Sequence, residues 1–226
     1  MIMLSLQHPY IAVDVCGRPS YGGGQQFSHD PMIRRCGCGV IAATDLLLYL
    51  SAWHPRGAVE YFDGLLEGPI PFPAYVMCVS RINQRYFPII PYSGINGIML
   101  MAGVQRFFRE QHMPYTARWC FSPHKLWDRM ENMLRQDIPV IMSVGPNFPK
   151  LWGNRRVRFY VRSEGRGFIP SAAAKQHYFT VTGMDEDWLQ ISSWGRLYYV
   201  NRREFEEYTR RYSLDFVSNI LLIEKK

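Results

Sequence analysis

The stretch "CGVIAATDLLLYLSAW", Cys38 to Trp53, constrains the fold more than any other. It reads as a helix that stops before Pro55, and Ile41, Leu46, Leu47, Leu48 and Leu50 fall all around it. A helix apolar on every side is buried, so the rest of the chain must wrap it. Its mouth reads "RRCGCG", with Cys36 and Cys38 each followed by glycine. Two thiols so placed can be a metal clip, a disulfide, packing, or a nucleophile with a companion.

Composition narrows these choices. The 226 residues are 47% hydrophobic and 20% charged, enough for one sizeable core and unlike a disordered chain. The five cysteines are odd in number and widely spaced. The N-terminus, "MIMLSLQHPYIAVDV", has no basic leader, long apolar core or small-residue cleavage site, so a signal peptide is not expected. Reduced thiols and a cytoplasmic location follow as expectations. Zinc would want Cys-x2-4-Cys spacing with a second pair; Cys36-Gly37-Cys38 is one residue short and stands alone, so no metal is expected. The formal charge of +7 sits in scattered arginine pairs, with no nucleic-acid-binding signature, and the apolar runs are too short to span a bilayer. Neither nucleic acid nor membrane is an expected partner.

Along the chain, the first 35 residues read as loop with at most one strand, and 57–91 as Gly/Pro-punctuated loop. A second helix is expected from about Ser93 to Gln111, with Ile98, Met101, Val104 and Phe108 on its buried face. A third starts with Ser122 as N-cap and Pro123 in the first turn. "IPVIMSV", "RVRFYVR", "HYFTVTG", "WLQISSWG", "RLYYV" and "DFVSNILLIE" are strand-like, and "NRREFEEYTRR" is a short helix. The expectation is an α+β fold in one domain, 1–226, with a mainly helical lobe to about residue 135 and a β-rich lobe from about 136.

A cysteine becomes a strong nucleophile as thiolate, which a helix N-terminus and a nearby imidazolium favour. Of the six histidines, only His177 opens a clear strand. Residues 177–194 read as a hairpin turning at "MDED". Pairing Gly183 with Trp188 sets His177 opposite Trp194 and puts His177, Ser192 and Trp194 on one face. A slip of one residue would separate them. Asp45, two helical turns beyond Cys38, would then support the site from behind or pair with a buried arginine.

Cys-Gly at the mouth of a buried helix, "MLRQDIPVIMSV", a late "HYFTVTG" strand and then "SSWG" together resemble the papain-like cysteine peptidase superfamily. The likeness is to the bacterial branch of bacteriocin-leader peptidases and their stand-alone relatives, and covers about Gln25 to Phe205. It implies a papain-like fold and acyl transfer from a peptide or amide bond of a peptide or protein substrate, with no cofactor. It places the nucleophile on Cys38 or Cys36. Counting to the helix leucines selects Cys38, since Leu46 and Leu47 then take the core positions. The base falls on His177, the residue orienting the imidazole on Ser192, and the oxyanion glutamine on Gln25. Ser192 stands where the family has Asn or Asp, and serine brings no charge to an imidazolium. That departure keeps a second reading open: an inactive binding protein on the same scaffold, for an acidic or peptide partner.

Overall fold

The computed structural model describes residues 3–145 and 155–226. The helix expected at Cys38–Trp53 is α2, with the same bounds, and it is buried without interruption from Gly39 to Ser51. A six-residue helix, α1 (Pro31–Cys36), leads into it; the Asp30 carboxylate caps α1 by accepting from the Met32 and Ile33 N–H groups. Gly37 is the corner between the two helices. Its N–H donates to the Ile33 carbonyl (2.8 Å), and a Cβ there would lie 2.5 Å from that oxygen. Only glycine lets α1 end and α2 begin within one residue, which is why the two thiols flank the corner.

Residues 57–91 hold a helix that the Gly/Pro punctuation conceals: α3 (Phe72–Tyr86). Pro73 sits in its first turn, where a missing N–H costs nothing, so it starts the helix instead of breaking it. Tyr75, Cys78, Val79, Ile82 and Tyr86 form its buried face. The second expected helix is α4 (Gly97–Glu110), capped by the Asn96 side chain accepting from Met99 N–H. Ile98 is 46% exposed, and Leu100 and Phe107 take the core positions beside Val104 and Phe108. The third is α5 (Leu126–Arg135). Ser122 does not cap it: its Oγ accepts from His124 N–H in a tight turn, and Lys125, with φ of 58°, redirects the chain into the helix.

Among the described residues, the main sheet is antiparallel and seven-stranded. It comprises β1 (Leu4–Ser5), β6 (Val140–Val144), β7 (Val157–Ser163), β8 (Gly167–Ala174), β9 (His177–Met184), β10 (Trp188–Ser193) and β11 (Arg196–Asn201). Its order is β1-β9-β10-β11-β7-β8, with β6 sharing the outer edge of β9 with β1. β8, "GFIPSAAA", carries little strand signal in its small residues and was not expected. Smaller sheets pair β5 (Tyr115–Trp119) with β12 (Leu221–Lys225), and β2 (Val13–Val15) with both β3 (Arg18–Pro19) and β4 (Ile70–Pro71). Helix α6 (Arg202–Tyr212) follows β11.

The fold is α+β, but the two halves interlock. The N-terminal β1 joins β9, the C-terminal β12 joins β5, and α2 packs on β9 and β6 within one apolar cluster. Among the described residues, no helix is long and apolar enough to cross a membrane.

Candidate active site

Cys38 is the first residue of α2, so the helix start points its positive end at the sulfur. The side chain is partly buried. Burial pushes its thiol above the ordinary value, while the N–H groups of Tyr178 and Gly39 pull it back. The glycine after it is a packing requirement: a Cβ on Gly39 would lie 2.7 Å from Ile95 Cγ1 and 3.1 Å from Tyr178 Cδ2. Without a side chain at 39, the mouth of α2 presses directly on the strand that carries His177.

His177 opens β9 and is 8% exposed. Its Nε2 bonds Ser193 Oγ at 2.7 Å. The Trp194 indole stacks on the imidazole, centroids 4.5 Å apart and planes 24° apart. Trp194 (φ 51°) and Gly195 (φ 73°) form the two-residue turn between β10 and β11. A left-handed tryptophan costs on the order of 1–2 kcal/mol, so surrounding contacts must impose it. They are present: Gly195 N–H donates to Gly23 O (2.8 Å), Tyr21 N–H to Gly195 O (3.0 Å), and Gln26 Nε2 to Trp194 O (2.8 Å). The glycine-rich loop thus clamps the strained turn that holds the indole over the imidazole.

The expected partner of His177, Ser192, points elsewhere. Its Oγ donates to the Tyr21 carbonyl at 2.7 Å, and Ser193 takes the place at the imidazole. The cause is register. Near the turn Gly183 pairs with Gln190, not with Trp188 as expected, and Met184 with Leu189, a shift of two that keeps the faces; beyond an irregularity Ile191 pairs with Val181 and Ser192 with Thr180. The extra residue on β9, Thr182, shifts the ladder by one and exchanges the two serines between faces. The motif "SSWG" offers both serines, and nothing in the sequence marks the bulge.

Gln25 lines the site with Cys38 and His177, on a short 3-10 turn (Gln25–Phe27). Its Nε2 already donates to the Arg34 carbonyl (2.8 Å) and, at 3.4 Å, to that of Arg35, at the end of α1. Its Oε1 is buried with no partner among the described residues. The amide therefore ties the loop to α1, and the oxyanion role that the resemblance implies has only its remaining hydrogen-bonding capacity to draw on. Asp45 meets no arginine. It accepts from Tyr75 Oη (2.7 Å) and Gly23 N–H (2.8 Å), with Tyr10 Oη at 3.5 Å. Burial raises its carboxyl to about 6, against the lowering effect of those donors. Asp45 acts as the inner anchor of the loop that holds the Trp194 turn. Cys36 lies on the other side of the Gly37 corner and, like Cys38, is a free thiol.

Cys38, His177, Ser193 and Asp45 border a narrow cavity of about 20 Å³, which adjoins an open groove of about 710 Å³ that also reaches Cys38 and His177. No three His, Cys, Asp or Glu side chains among the described residues are grouped as metal ligands. Burial lowers the His177 imidazole to about 3 and raises the Cys38 thiol above its ordinary value. Both shifts favour the uncharged forms of thiol and imidazole.

No protein-family model matches the chain, and no curated protein matches it. Among solved structures it is similar to a Bacillus anthracis chain provisionally described as a C39-like peptidase. The likeness has 14% identity and a TM-score of 0.46, over 95% of this chain and 98% of that one.

Proposed function

We propose that the chain is a papain-like, cysteine-dependent acyl hydrolase or acyl transferase acting on peptide or amide bonds, working as one unit over residues 1–226. The observation that carries this reading is the setting of His177. Ser193 engages Nε2 under the Trp194 ring, and Nδ1 is left for a thiol that borders the same groove at a helix start. With Nε2–H donating to Ser193 Oγ, Nδ1 carries the lone pair a base needs. As the substrate carbonyl arrives, the Cys38 sulfur attacks its carbon while the thiol proton passes to Nδ1. The first-turn N–H groups of α2 lie beside the sulfur, where oxyanion charge develops. The imidazolium then gives that proton to the leaving nitrogen, the C–N bond breaks, and a thioester remains on Cys38. Water, or a second amine, attacks the thioester with His177 again as base, which restores the thiol.

The test uses a mixture of unlabelled peptides and mass spectrometry of the new amino termini. Wild-type protein is expected to generate them, or new amide linkages if an amine is supplied, and Cys38→Ala none. Equal product from both proteins would remove Cys38 from the chemistry.

One observation favours a second reading. His177 has a serine where a carboxylate would stabilise its cation, and burial disfavours that cation. A scaffold that binds a peptide without cleaving it fits the same geometry, and a wild type that gives no product would support it.

A further inference from the structure

The groove that reaches Cys38 and His177 is one-sided in charge. Arg35, Arg156 and Lys175 line it, and no aspartate or glutamate does among the described residues. Some arginines elsewhere on the surface are matched with acids: Arg85 and Arg106 with Glu110, Arg118 with Glu224, Arg135 with Glu131, and Arg158 with Glu204. Among the described residues, the three groove cations make no ion pair; Arg35 lies instead over the Tyr92 ring, 5.0 Å from its centroid. Arg35 stands three residues before Cys38, and Lys175 two before His177, so the helical wall and the sheet wall each bring a cation to the pair.

The same groove gathers exposed apolar side chains. Tyr92, Ile98, Phe121 and Phe216 line it, at 79, 46, 63 and 47% exposure, four of the ten large hydrophobic residues that the described surface exposes. An apolar trough with unopposed cations is complementary to a chain that alternates apolar and anionic groups.

We propose that the groove binds an acidic peptide segment, its carboxylates facing Arg35, Arg156 and Lys175 and its apolar side chains against Ile98, Phe121 and Phe216. As a statement of substrate class it rests on the reading of Cys38 and His177 as the reacting pair; as a statement of binding it does not. The assay therefore measures binding on Cys38→Ala, so loss of turnover and loss of acidic preference are read separately.

The probes are rhodamine-labelled decapeptides with two leucines, glycine spacers and four glutamates, or four glutamines, or four lysines, with a ten-nucleotide thymidine strand as the other polyanion. Fluorescence anisotropy is expected to show the glutamate peptide binding at least about tenfold tighter than the glutamine peptide in low salt, and the lysine peptide weakest. Raising the salt to about 0.5 M should erase most of that ratio, because exposed pairs are screened beyond a few ångströms. The triple change Arg35→Gln, Arg156→Gln, Lys175→Gln should bring the two peptides within about twofold. Equal binding of the glutamate and glutamine peptides to Cys38→Ala, no binding of either, or an oligonucleotide that binds as tightly as the glutamate peptide would overturn the proposal.

Discussion

Replacing His177 by alanine is expected to lower turnover by about 10³-fold or more, the scale on which removing a base that works as a unit with its nucleophile acts. The wild-type rate should carry an unusual pH dependence. Burial lowers the imidazole to about 3, so the base stays free of protons as the solution is acidified. An imidazole at its ordinary value near 6.5 would be almost wholly protonated at pH 5, and kcat/KM would fall about 30-fold. Here kcat/KM is expected to change little between pH 8 and 5. On the alkaline side, burial raises the thiol above its ordinary value. Initial rates of wild type across pH 4–9, with a peptide found to be cleaved, check the profile. An acid limb centred near 6.5, or a His177→Ala variant with wild-type rate, would contradict it.

The second large effect concerns stability. Asp45 is buried beside Tyr75, Tyr10 and the Gly23 N–H, and its carboxyl is raised from 3.8 to about 6. A raised carboxyl takes up a proton on folding. Its contribution is therefore complete below about pH 4 and is lost as pH rises through about 6. A difference of about two pKa units corresponds to roughly 3 kcal/mol between pH 4 and 8. Asp45→Asn has no such dependence. The two proteins should unfold at similar urea concentrations at pH 4, and the variant should be more stable by roughly 3 kcal/mol at pH 8. The comparison must be a difference between proteins, because Asp137, held low by Tyr49 and His8 against its burial, gives the total curve an opposite slope. Parallel curves for wild type and Asp45→Asn would show that the carboxyl does not titrate in this range.

How much of this was legible in the sequence follows from what each residue depends on. α2 was readable to the residue, because burial on every side and the terminating His54-Pro55 are properties of consecutive positions. Cys38 and His177 border one groove because a helix start and a strand start are also local features. α3 was hidden because Pro71 and Pro73 read as breaks, although Tyr75, Cys78, Val79 and Ile82 carry the helical spacing. Ser193 could not be separated from Ser192, since the choice depends on a bulge at Thr182 between two strands. The protonation state of the site was equally out of reach. Motif spacing brings a thiol to an imidazole but says nothing of how dry the surroundings are, and burial sets both groups.

The most direct test of the Cys38–His177 pair is the rate of alkylation by a chloroacetamide at each cysteine, mapped by mass spectrometry, in wild type and in His177→Ala. The account predicts that at pH 7 Cys38 is modified faster than Cys36 and that this advantage is lost in the variant. Equal labelling of Cys36 and Cys38, unchanged by His177→Ala, would contradict it and leave a peptide-binding scaffold in its place.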